Sequence, residues 1–277
     1  MTDGTGVTSA MAPADLIDLD RYRLLVPKAR AGLVEECGRH LAKHGFFTLP
    51  GFVRADALSG LVAEAMATRP LAFRRDAMLP AYAAPADGRL DADDPRRILT
   101  RSTNSVVAGD HLEPQGAIQR VYRWDGLTRF IADVVGAPVL HRVADPLLDC
   151  ILWILDRGDT HHWHFDSNTF VVTLLLQSAE AGGCFEFAPH IRSDADENRT
   201  AVSAVLRGER SRVRTVEIEP GTLMLFSGRH ALHRVSEVEG RRPRIIAVFS
   251  YDEKPGFMFP DAAALRVFGR HRQTQAT

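Results

Sequence analysis

At 277 residues, 45% hydrophobic and 25% charged, the chain is long enough to bury a substantial core and has the composition of an ordinary globular protein. Its 34 basic residues against 35 acidic ones leave a net charge of −1, which gives no electrostatic case for nucleic acid or an anionic membrane surface as partner. Cys37, Cys150 and Cys184 form no Cys-x-x-Cys pair, no signal-peptide pattern opens the chain, and no apolar run approaches the roughly 20 residues of a membrane helix, so a cytoplasmic protein is expected.

Taken in order, residues 1–20 are small, polar and acidic and read as a loose lead-in. From Lys28 to His44 the apolar residues Leu33, Cys37 and Leu41 recur at fours before Gly45, which predicts an amphipathic helix. Phe46–Leu49 reads as a short strand ended by Pro50-Gly51, and Ala55–Thr68 as a second helix with Leu58, Leu61, Val62, Ala65 and Met66 on one face. Residues 74–96 carry Pro80, Pro85, Gly88 and Pro95 and read as a long loop of the kind that serves as a lid. Asp125 can cap a further helix whose buried face is Leu127, Phe130, Ile131 and Val134, with Gly136 as its stop. The stretch 21–137 is therefore expected to be mainly helical.

After Pro138 the character changes. Segments 139–142, 147–155, 169–177, 184–187, 213–218, 222–226, 233–238 and 244–251 read as strands punctuated by glycine turns. Phe170–Leu176 lacks polar alternation, so both of its faces should be buried, one inside a barrel and one under helices. Only 194–207 breaks the run, as a helix with Val202, Val205 and Leu206 facing inward. The expected architecture is mainly β with α: a double-stranded β-helix (jelly roll) over 138–253, N-terminal helices packed on its major sheet, and a C-terminal tail over 254–277, all in one domain spanning 1–277.

The chemistry-bearing stretch is 160–177. On an extended strand His164 and Asp166, two apart, project side by side. With a second histidine they would make two imidazoles and one carboxylate on one face of a metal, a set suited to non-haem Fe(II). His233 is the candidate, 69 residues beyond His164. Spacing alone leaves a His162/His164 pair, and His230 in place of His233, as competitors. Arg244 opens an apolar strand and would need an anion there, with Arg242 as the fallback.

With the runs at 163–177, 182–192, 228–235 and 244–252, this pattern resembles the Fe(II)/2-oxoglutarate-dependent oxygenases. It is similar in particular to a bacterial subfamily of amino-acid hydroxylases and radical halogenases. The resemblance implies that His164, Asp166 and His233 ligate Fe(II) and that Arg244 holds the distal carboxylate of 2-oxoglutarate. O2 would be the second cosubstrate, with succinate and CO2 released. It also implies that Arg101 holds a substrate carboxylate and that His161 lies on the substrate side. In the resembling halogenases a glycine replaces the carboxylate, so Asp166 points to hydroxylation of a free or N-substituted amino acid. A peptidyl or natural-product substrate, and a cupin-like metal-binding sensor without turnover, stay open as alternatives.

Overall fold

The computed structural model describes residues 13–82, 90–91 and 94–272. Pro27–His44 (α1) ends at Gly45, whose left-handed φ of 80° lets its amide reach the Leu41 carbonyl. Then come Phe46–Leu49 (β1), Leu58–Ala67 (α2), Phe73–Pro80 (β2), Leu99–Val107 (β3), Ala117–Arg123 (α3) and Asp125–Val135 (α4). His141–Arg142 (β4), Cys150–Leu155 (β5), His161–His164 (β6), Val171–Gln177 (β7) and Phe185–Ala188 (β8) follow. Arg199–Leu206 (α5), Arg214–Val216 (β9), Leu223–Phe226 (β10), Leu232–Val235 (β11), Arg244–Phe249 (β12), Tyr251–Asp252 (β13) and Asp261–Phe268 (α6) complete the described chain.

Two antiparallel sheets form the jelly roll: a major one ordered β1-β10-β7-β12-β5-β3-β2 and a minor one ordered β6-β11-β8-β9. Side-chain alternation sorts the major sheet's residues into two cores. Val172, Leu174 and Leu176 of β7 pack outward with Leu61, Phe130 and Ile131 of the helices. Leu175 of β7 and Trp153 of β5 pack inward against Phe185 and Phe187 of the minor sheet. Both faces of β7 are thus buried, as its unalternating sequence predicts. The minor sheet's outer side is covered by α5 through Val202, Val205 and Leu206. No helix among the described residues is long and apolar enough to cross a membrane.

Several expectations need correction. Residues 73–80 are not loop but the edge strand β2, paired over its whole length with β3. Strong pairing with a neighbour outweighs the weak strand propensity of Phe-Arg-Arg-Asp-Ala-Met-Leu-Pro. Residues 83–89 and 92–93 of the predicted loop, with Pro85 and Gly88, lie outside the described residues, as do 1–12 of the lead-in and 273–277 of the tail. The stretch 21–137 holds more helix than strand, but its β1, β2 and β3 also join the major sheet, which is expected from the sequence to lie after Pro138. From Pro13 the lead-in is docked: Ile17 is fully buried and bridges Val53. Asp125 is not a cap; it opens α4 and its carboxylate accepts from Arg142 at 2.9 Å. The tail contains α6, whose Ala264 and Phe268 join the inner core.

Candidate metal centre

Pairing of β6 with β11 sets His164 opposite His233, with ring centroids 4.1 Å apart. Each imidazole is oriented from behind. His164 Nδ1 lies 2.8 Å from the His162 carbonyl, and His233 Nδ1 lies 3.0 Å from the Ala231 carbonyl. A carbonyl only accepts, so both protons are assigned to Nδ1 and both Nε2 lone pairs turn inward. There they meet Asp166: His164 Nε2 is 3.7 Å from Oδ1 and His233 Nε2 is 3.2 Å from Oδ2. With these tautomers the 3.2 Å approach joins two acceptors, consistent with Asp166 Oδ2 being buried without a hydrogen-bond donor. Three acceptor atoms within 4.8 Å of one another, with nothing to donate between them, fit a divalent cation.

Asp166 does not begin the apolar strand. It lies in the connection between β6 of the minor sheet and β7 of the major one. Its position is set by its own amide, which donates to the Gly228 carbonyl at 3.1 Å. A β-carbon at residue 228 would fall 2.3 Å from Asp166 Oδ2, so only glycine allows this approach. Burial pulls the Asp166 carboxyl up, and only a protonated His233 or His164 beside it would draw it below the ordinary carboxylate range. The same burial holds His164 down at about 4, with His233 adding to the effect.

A bulge places His161. His233 pairs with His164 but Val235 pairs with His161, so three steps of β6 match two of β11. The His161 ring consequently stacks on His164 at 4.5 Å and lies tilted against Trp153, also at 4.5 Å. His162 lies 4.9 Å from His164, and its buried Nδ1 has no partner. The competing cluster His161, His162 and His164 lacks a carboxylate, so it is the poorer cation site. His230 is turned away toward Asp194 at 3.0 Å.

All of this opens on one cavity of about 440 Å3, which Arg244 enters from β12. Arg244 is 3% exposed, its Nη1 has no partner, and burial lowers its pKa to about 10. Elsewhere on the lining, Thr173 on β7, which pairs with Val248 of β12, also leaves its hydroxyl unpartnered. Arg242, the fallback, is spent on the Ser178 and Ala179 carbonyls.

Arg101 is not brought to the site. It sits on the outer face of β3, exposed, with Asp76 at 3.6 Å, and does not line the cavity. The register explains this: Arg101 pairs with Met78, itself exposed, and Asn104 pairs with Arg75, which is buried and does line the cavity. Sequence reasoning missed Arg75 because it took residues 74–96 for loop, where side-chain direction has no period.

Solved structures share this fold. An oxidoreductase of the 2OG-Fe(II) oxygenase family from Burkholderia pseudomallei is 17% identical over 81% of this chain and 92% of its own, with TM-score 0.51. AviO1 from Streptomyces viridochromogenes Tue57 is 17% identical over 81% of this chain and 96% of its own, with TM-score 0.54. HygX from Streptomyces hygroscopicus, solved with nickel, 2-oxoglutarate and hygromycin B, is 15% identical over 78% and 86%, with TM-score 0.52. No curated protein matches the sequence. The fold is that of the 2-oxoglutarate- and Fe(II)-dependent oxygenases. Within it, the chain belongs to the family described as Halogenase D, whose profile matches residues 30–257.

Proposed function

We propose that this chain is an Fe(II)- and 2-oxoglutarate-dependent oxygenase that hydroxylates an unactivated C–H of a small, amino-acid-like molecule. In balance, R–H, 2-oxoglutarate and O2 give R–OH, succinate and CO2. The observation that carries the reading is the pairing of opposites in one cavity. Three donor-starved metal-ligating atoms stand on one wall, and a buried guanidinium with an unpartnered nitrogen stands on the other. His164, Asp166 and His233 would hold Fe(II), which supplies the oxidising chemistry when O2 and 2-oxoglutarate are bound. Arg244 would bind the distal carboxylate of 2-oxoglutarate. The Nδ1 protons on carbonyls keep both imidazoles aimed, and the apolar walls exclude water from the reacting carbon. His161, between His164 and Trp153, would face the substrate.

The family's description favours a second reading, halogenation. Asp166 argues against it, because a carboxylate occupies the position that the resembling halogenases leave open for chloride. The test is turnover with Fe(II), O2 and a panel of amino-acid-like substrates, in chloride and in chloride-free buffer. Hydroxylation predicts succinate formation, a product heavier by one oxygen, no chloride dependence, and loss of both signals in Asp166→Ala. A chlorinated product from the parent protein, or an Asp166→Ala variant that still hydroxylates, would overturn it.

A further inference from the structure

The cavity's charge is lopsided. Among its described lining residues Arg244 and Arg75 form no ion pair with a described carboxylate, Arg234 is already held by Glu186, and the single lining carboxylate, Asp166, is the one the metal centre uses. Arg75 is the informative one. Its neighbour Arg74 points out and forms a bidentate pair with Asp159 at 2.5 and 2.6 Å. Arg75 points in, is 9% exposed, and lies over the Trp153 ring at 5.8 Å. Its Nη2 donates to the carbonyls of Arg266 and Val267 near the end of α6, and no carboxylate among the described residues forms an ion pair with it. A guanidinium held by carbonyls alone is positioned but not neutralised. From it a run of ring contacts, Trp153 tilted against His161 and His161 stacked on His164, leads to the metal ligands. Around this stack the walls are apolar: Leu79, Leu148, Ile151, Phe259, Ala263 and Val267.

We infer that the substrate is an apolar carboxylic acid that carries no ammonium group, with its carboxylate on Arg75; this rests on the oxygenase reading above. A buried ammonium would stand beside these guanidiniums with no free carboxylate among the described lining residues to receive it. Free amino acids, and lysine above all, are therefore excluded. Acids whose nitrogen is acylated, or replaced by hydroxyl, are admitted.

Calorimetric titration of the full chain, loaded with redox-inert Zn(II) and saturated with 2-oxoglutarate, tests this without turnover. The probes are the N-acetyl and 2-hydroxy acid forms of leucine, phenylalanine, methionine and valine, with their methyl esters, the free amino acids and lysine. At least one ammonium-free acid should bind, and its ester and parent amino acid should bind at least about tenfold more weakly. Arg75→Gln should weaken that acid by about tenfold or more, the size of a lost charge-assisted hydrogen bond, while Arg101→Gln should leave it unchanged. The proposal fails if no ammonium-free acid binds, if ester equals acid, or if a free amino acid binds as tightly. Should Arg75→Gln fold poorly, the acid-against-ester comparison on the parent protein still decides. Titrating 2-oxoglutarate into the Zn(II)-loaded protein tests the oxygenase reading separately; acids that bind where 2-oxoglutarate does not would sink that reading and leave the substrate class standing.

Discussion

Outside the cavity, Asp145, Asp159, Asp94 and Glu186 are buried carboxylates, and each is held by a guanidinium: Arg272, Arg74, Arg96, and Arg210 with Arg234. Inside the cavity, Arg244 and Arg75 are as buried and form no ion pair with a carboxylate among the described residues, nor does Asp166 with an arginine among them. An unpaired buried charge is costly, and this chain neutralises such charges wherever they serve the frame. On the function proposed above, this contrast would reserve the cavity's charges for ligands: a cation among the imidazoles and the acid, and anions on the arginines.

Breaking a pair in the frame should produce the largest effect. Asp145 is fully buried and accepts from Arg272 Nε at 3.1 Å and Nη2 at 2.6 Å, which ties the segment after α6 to the barrel. Arg272→Ala should lower stability by about 3–5 kcal/mol, measured by chemical denaturation, because it strands Asp145. A loss below about 1 kcal/mol would mean that frame charges need no partner, and the contrast would collapse.

Asp149 sharpens the comparison from the other side. It is a half-buried acid outside the cavity with no ion pair among the described residues, and burial pushes its carboxyl from 3.8 up to about 7, against the pull of the Cys150 amide. Between those values the native chain holds a proton that the unfolded chain releases. Stability therefore falls as pH rises from about 4 to about 7 and stays reduced above. Asp149→Asn keeps an acceptor for the Cys150 amide but cannot ionise. It should match the parent near pH 4 and exceed it at pH 8 by at most about 4 kcal/mol, read from denaturation midpoints. A gap that does not grow with pH would refute the assignment.

How far the sequence carried this reading varies with how local the signal was. The two-faced burial of β7 was legible in its unbroken apolar run, and the distant histidine was legible from its motif and strand context. Two features were not. The bulge in β6 that turns His161 toward His164 has no local marker, since it arises from pairing with β11. Arg75 lies in a segment whose charges and closing proline suppress strand propensity, and only its eight-residue pairing with β3 gives it a direction. α6 is a different case: Ala264, Phe268 and the stop at Gly269 carried a helical signal that was passed over.

Within the cavity, the arginine side should respond first. Arg244→Gln removes the buried charge proposed to hold the cosubstrate, so 2-oxoglutarate affinity should drop by the equivalent of about 1.5–3 kcal/mol. Metal affinity in the absence of 2-oxoglutarate should stay as it was, because Arg244 touches none of the ligating residues. Parallel calorimetric titrations of metal and of cosubstrate separate the two. Equal losses in both would show that the walls act as one unit.

Gly228→Ala is the reverse experiment, aimed at the imidazole side. The added methyl would meet Asp166 Oδ2 at 2.3 Å and its β-carbon at 2.9 Å, so the carboxylate has to move. Backbone strain is not the reason, because Gly228 is not among the glycines with left-handed φ; the cost is purely one of space. His164 and His233 keep their carbonyl partners on β6 and β11, so the two imidazoles remain in place while the acid is displaced. Metal affinity should fall by about 10–100-fold, as for loss of a residue that orients a ligand, with the denaturation midpoint little changed. An unchanged metal affinity would mean that Asp166 does not need its observed position to bind. The pairing of a starved acid with two aimed imidazoles would then lose its meaning as a metal centre.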